Sequence, residues 1–175
     1  MKRDHDFVKS LIDEFFLSVK LHDYFNIFYG NKPITGWETW LQIEFAYFLS
    51  HHSSTPEWDR EIRLEFDGRR EREKINFRPD FILRKKGWAT SSYAALEIKQ
   101  DKNPIQCINK MIFDLDKVSK IRPSQLNMRS YWALGISKAP LDQSPIDFLH
   151  QYVELNPKLA SANVIGSTNL AYYLF

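Results

Sequence analysis

Apolar residues at Phe7, Val8, Leu11, Ile12, Phe15, Phe16 and Val19 recur at helical spacing, which predicts an amphipathic helix over residues 5 to 25. Asn31-Lys32-Pro33 interrupts the pattern. Thr35-Gly36-Trp37-Glu38 has the form of a capping box, with Thr35 accepting from the backbone and Glu38 reaching back to it, and it opens a second helix running to about His51. At Glu61 the period falls to two, because Glu61-Ile62-Arg63-Leu64-Glu65-Phe66 alternates polar and apolar residues as a half-buried strand does, and Asp67-Gly68 supplies a turn. Residues 77 to 83 and 93 to 98 read as two further strands, the second apolar enough to lie inside a sheet. Asn103-Pro104 starts a third helix marked by Ile105, Ile108, Ile112 and Leu115, which Pro123 stops. Residues 131 to 136 give a fourth strand, Ser144-Pro145 opens a fourth helix, and residues 170 to 175 form a final strand, with a short extra strand at Val164-Ile165 as an option. The order is ααβββαβαβ, which calls for a mixed sheet with helices on its faces, an α/β sandwich of three layers.

The chain has 175 residues, enough for a single domain spanning 1–175. With 43% hydrophobic and 26% charged residues it is neither disordered, collagen-like nor a coiled-coil rod. Its 24 basic and 22 acidic residues nearly cancel, so bulk charge names no partner. Cys107 is the one cysteine, which excludes an internal disulfide and makes a reducing, cytoplasmic setting the expectation. The first residues do not read as a signal peptide and no apolar run is long enough for a bilayer, so no membrane association is expected. There is no phosphate-binding glycine loop, no GxSxG turn and no zinc-type histidine spacing, and no organic cofactor is expected.

The chemistry concentrates in Arg78-Pro79-Asp80-Phe81-Ile82-Leu83 and, after a loop, Leu96-Glu97-Ile98-Lys99-Gln100. Alternate strand residues share a face, so Glu97 and Lys99 project together, roughly 7 Å apart, while Leu96 and Ile98 point the other way. An acid and a lysine at the end of an otherwise apolar strand cost desolvation free energy unless further charge sits beside them. Magnesium is one such partner, because it takes oxygen ligands and often needs only one or two carboxylates. Asp80 and Glu97 on neighbouring strands would supply that set, with Lys99 placed to orient a water or stabilise a phosphorane-like transition state.

Pro79-Asp80 followed by Glu97-x-Lys99 resembles the signature of the PD-(D/E)XK nuclease superfamily, the restriction-endonuclease-like fold. The similarity covers the αβββαβ stretch, about residues 35 to 137. It implies hydrolysis of phosphodiester bonds that depends on Mg2+ or Mn2+, by an endonuclease acting on DNA. Asp80 and Glu97 would be the metal ligands, Ile98 would offer its backbone carbonyl, and Lys99 would be the catalytic lysine. Family members also often carry a glutamate on the preceding helix. At about 100° per residue from Trp37, Glu44 falls at roughly 340°, amid the stripe of Trp40, Leu41 and Phe48. It is therefore assigned to a metal-bound water or a second ion, with Gln42 and Gln100 as neighbours.

Structural readings of the same residues stand beside these: an Asp80 pair with Arg78 or Arg84, a Glu97–Lys99 ion pair at a strand edge, and Glu44 against Arg60 or Arg63. From Lys102 to Lys138 there are seven basic residues against two acids, as a polyanion would need. Arg78, Gln100, Lys102, Lys110 and Lys117 are the candidate nucleic-acid contacts. Arg69-Arg70-Glu71-Arg72-Glu73-Lys74 is diluted by its acids and reads as a solvated hairpin. A two-fold homodimer would suit cleavage of both strands of a duplex. The rival function is a non-catalytic member of the same fold that binds nucleic acid or protein. A docking subunit is a third, and would expose Trp58, Trp88 or Trp132.

Overall fold

The computed structural model describes residues 1–30, 33–63, 78–118 and 127–175. Two helices replace the single one expected at the start, α1 (Lys2–Phe16) and α2 (Val19–Phe28). The cause is facial. Continued at about 100° per residue, a single helix would put Leu21 and Phe28 roughly a third of a turn or more away from the centre of the face that carries Phe7, Val8, Leu11, Ile12, Phe15 and Phe16. Breaking at Leu17-Ser18 buries both sets and leaves Leu17 75% exposed. The third helix, α3 (Glu38–His51), follows.

Strand β1 (Glu57–Arg60) lies upstream of the expected strand at 61–66. Glu61 adopts φ 53°, a left-handed conformation that ends the strand, and Leu64 to Phe66 lie outside the described residues, as do the Arg69–Lys74 hairpin and Pro123. Then come β2 (Phe81–Arg84), β3 (Ser92–Gln100), α4 (Pro104–Val118), β4 (Asn127–Lys138), α5 (Pro145–Tyr152), a 3-10 turn (Pro157–Leu159), β5 (Ser161–Val164) and β6 (Leu170–Leu174). The expected starts of α4 and α5 are capped. Asn103 Oδ1 accepts from the N–H groups of Ile105 and Gln106 at 2.9 and 3.2 Å, and Ser144 Oγ accepts from that of Asp147 at 3.3 Å.

The strands form one six-stranded mixed sheet in the order β1-β2-β3-β4-β6-β5, in which only β3 and β4 are parallel among the described pairs. Even-numbered residues of β3 and β4, such as Leu96, Ile98, Trp132 and Leu134, join the core built on α1, α2 and α3. Ala133, Ala171 and Tyr173 pack on the opposite face against Cys107, Ile108 and Met111 of α4 and Leu149 of α5. The architecture is mixed α/β, compatible with a three-layer α/β/α arrangement. Trp132 is buried, and Trp58 and Trp88 are half-buried against the first core. No helix among the described residues is long and apolar enough to cross a membrane.

His5 ties α1 to the sheet. It is buried, its ring lies 5.2 Å from Trp132, and its Nε2 is 3.2 Å from Ser161 Oγ. Burial pulls its pKa below 6.5, against the opposing effect of Asp6. A folded-state pKa below the unfolded one means that this contribution to stability is intact above pH 6.5 and is lost as pH falls below it. The urea midpoint of the wild type should therefore drop between pH 7 and pH 5.5 by more than that of His5→Gln. Equal drops in the two proteins would remove His5 from this role.

Candidate active site

The site begins with two strands of unequal length. β2 starts at Phe81, opposite Leu96, whereas β3 runs on to Gln100. The N–H and C=O of a strand residue point to the same side. Beyond Leu96, the groups of Ile98 and Gln100 therefore face a place where β2 no longer lies. Unpaired, they would each be costly. Two carboxylates take them instead: Asp80 Oδ2 accepts from the Ile98 N–H at 2.7 Å, and Glu38 Oε2 accepts from the Gln100 N–H at 3.1 Å. The Asp80 N–H in turn donates to Glu97 Oε2 at 3.3 Å.

Glu97 and Lys99 lie on the α4 face of the sheet, opposite to Leu96 and Ile98. The Lys99 ammonium donates to Glu97 Oε1 at 2.7 Å and pairs with Asp114 Oδ2 of α4 at 2.9 Å. Side-chain exposure is 13% for Glu97, 18% for Lys99 and 9% for Asp114, so these charges are largely withdrawn from water. Burial and then the charge of Glu97 push the Asp80 carboxyl up to about 7, against the Ile98 N–H and Lys99. Burial also raises Glu97, against the pull of Lys99. For Lys99, burial favours the neutral amine, but Glu97 and Asp114 together outweigh it and hold the group above its ordinary value.

Two carboxyls held above their usual range and a lysine locked as a cation make a site that would gain from one more positive charge. Asp80 and Glu97 offer oxygen donors, and the Ile98 carbonyl points to the same side as its N–H, towards Asp80. That donor set suits a hard cation such as Mg2+. Among the described residues, no group of three or more His, Cys, Asp or Glu side chains is arranged to hold a metal ion. The fit therefore rests on a pair of carboxylates with a backbone carbonyl.

Glu44 is placed elsewhere. Its carboxylate lies 3.7 Å from Lys20 of α2. Helix α3 has two covered sides: Trp40 packs on Tyr24 and Phe28 of α2 and Phe48 on Phe15 of α1, while Leu41, Gln42, Phe45 and Leu49 are buried on another arc. The aromatic stripe that selects Glu44 faces the neighbouring helices. Measured from Trp37, the buried arc centres at roughly 90°, where Glu38 falls at about 100°. Glu38 also replaces the expected capping box, since the N-cap is Trp37 with no side-chain cap. The signal for Glu38 is present in the apolar spacing but masked by the second covered side.

Gln42 is buried and accepts from the Arg60 guanidinium at 2.6 Å, which sits 5.4 Å above the Phe81 ring. The Gln100 side chain donates to the Tyr29 hydroxyl at 3.4 Å. Lys110 pairs with Asp101 at 2.7 Å and Lys117 with Asp114. Arg78 and Lys102 are exposed. Arg84, an alternative partner for Asp80, is engaged by Glu57 and by the carbonyl of Trp88 at 2.8 Å. Asp114 carries no signal along the chain, because its approach to Lys99 depends on how closely α4 packs on the sheet. The chain matches no family model, no curated protein and no solved structure, so its function has to be read from the site itself.

Proposed function

We propose that the chain is a divalent-metal-dependent nuclease of the PD-(D/E)XK superfamily, with a restriction-endonuclease-like fold, hydrolysing phosphodiester bonds in DNA. The observation that carries the reading is the meeting of Asp80, Glu97 and Lys99 at the overhang of β3, with the Asp80 carboxyl pushed up to about 7. Asp80, Glu97 and the Ile98 carbonyl would hold Mg2+ or Mn2+, with Glu38 fixing the adjoining backbone. Held there, the ion would supply an activated water and would neutralise charge developing on the phosphate oxygens. Lys99 stays protonated, so its work is to orient the attacking water and stabilise negative charge, not to accept a proton.

Because β3 and β4 run parallel, with Gln100 opposite Ile136, the strand end that carries the acids adjoins the end of β4. A cleft of about 770 Å³ opens there, lined by Lys102, Asn103, Lys138 and Phe148 among others. Two lysines beside an aromatic ring suit a nucleic-acid strand. Lys102 and Lys138 are better placed for phosphates than Lys110 and Lys117, which already hold Asp101 and Asp114.

Titration of the wild type and Lys99→Ala with Mg2+ and Mn2+ by calorimetry, followed by incubation with supercoiled plasmid and single-stranded DNA, tests the reading. Both proteins should bind the ion, and Lys99→Ala should lose about 100-fold or more in nicking. A wild type that binds neither ion would favour the non-catalytic binding module. Its specific support is that the Ile98 N–H already satisfies Asp80 and two acids already satisfy Lys99.

A further inference from the structure

We infer that Asp114 is a positioning residue that clamps the catalytic lysine, an assignment that rests on the nuclease reading for its effect on catalysis but not for its geometry. Lysine carries a point charge on a flexible four-carbon stem, and aiming it costs rotamer entropy. Lys99 is held at two points, by Glu97 Oε1 at 2.7 Å from its own strand and by Asp114 Oδ2 at 2.9 Å from α4. The second point is itself fixed. Asp114 is buried, and its Oδ1 is engaged by Lys117 one turn along, whose ammonium lies 4.5 Å from the Phe113 ring. One carboxylate oxygen thus orients the other.

Glu97 would divide its negative charge between the ammonium and a bound cation, which weakens its hold on Lys99. Asp114 has no such second duty in the site. It holds the Lys99 ammonium beside Glu97 on the α4 face of the sheet, where its charge would meet the phosphate oxygens.

Nicking by wild type, Asp114→Asn, Asp114→Glu and Asp116→Asn, with kcat and KM separated, tests the clamp together with acylation of Lys99 by a succinimidyl ester read by peptide mass spectrometry. Asp114→Asn should lose about 30-fold in kcat with KM nearly unchanged, as expected for an aim-dependent electrostatic contribution. Asp114→Glu should recover most of it. Asp116→Asn makes the same charge change at an exposed position of α4 and should behave as the wild type. Lys99 should be acylated several-fold faster in Asp114→Asn, and chemical unfolding of each variant separates lost aim from a lost fold. Wild-type kcat in Asp114→Asn, or unaltered Lys99 acylation, would overturn the clamp. If the wild type cuts nothing, the nuclease reading fails, and the acylation rates still decide whether Asp114 holds Lys99.

Discussion

Asp80→Asn should melt at a higher temperature than the wild type when divalent ions are chelated and, on the nuclease reading, should no longer cut DNA. The two effects share one cause. The Asp80 carboxyl sits in a buried position beside Glu97, and its pKa rises from 3.8 to about 7. A folded-state value above the unfolded one means that the native protein holds its proton longer, so stability falls as pH rises from about 4 through 7. At pH 8 the charge is a burden on the empty fold. A tenfold difference in proton affinity between the folded and unfolded chain corresponds to about 1.4 kcal/mol, and removing the charge should return on the order of 1–3 kcal/mol. The asparagine oxygen can still accept from the Ile98 N–H, so the backbone remains satisfied. For a chain of this size the gain should read as a rise of about 2–4 °C per kcal/mol in a thermal scan with chelator. Adding Mg2+ should raise the melting temperature of the wild type and leave that of the variant unchanged, since only a protein that binds the ion is stabilised by it. A variant less stable than the wild type in chelator would make Asp80 a structural cap for β3 and remove the ground for a metal there.

Gly135→Val should have the second-largest effect, on folding and on the site together. Gly135 lies on β4 opposite Lys99, where α4 crosses the sheet. A Cβ there would stand 2.3 Å from Met111 Sδ and 2.8 Å from Cys107 Sγ. Both side chains are buried with little room to swing aside, so the strain should push α4 off the sheet. Overpacking of this kind costs about 1–3 kcal/mol and occasionally more. A lifted α4 also carries Asp114 away from Lys99, so any folded Gly135→Val protein should show the fast Lys99 acylation expected of Asp114→Asn. Urea unfolding and the acylation rate check both halves. A stable protein with protected Lys99 would show that α4 can shift without disturbing the site.

These residues differ in how far the sequence exposes them, for physical reasons. Glu97 and Lys99 are readable because a strand alternates strictly, so two charges at i and i+2 in an apolar run must share a face whatever the rest of the chain does. The starts of α4 and α5 are readable because Asn103 and Ser144 cap locally. The break between α1 and α2 is not, since both halves keep helical spacing and only the direction of burial changes. Nor is the choice between Glu38 and Glu44: α3 is apolar on two arcs, and which arc meets the sheet is decided by α1 and α2. β1 begins four residues before the alternating run because Trp58 and Arg60 pack on Phe81, contacts made across the sheet that alternation alone does not encode.

The overhang of β3 has a consequence for how such a domain can change. Two acids stand in for a missing strand, so four more residues of pairing at the start of β2 would offer the Ile98 and Gln100 N–H groups ordinary backbone acceptors and release Asp80 and Glu38 from that duty. A lineage could then trade the charged residues for neutral ones, gain stability at each step, and arrive at an inert scaffold of the same shape. The length of one short strand thus sets whether this corner of the sheet needs buried acids at all.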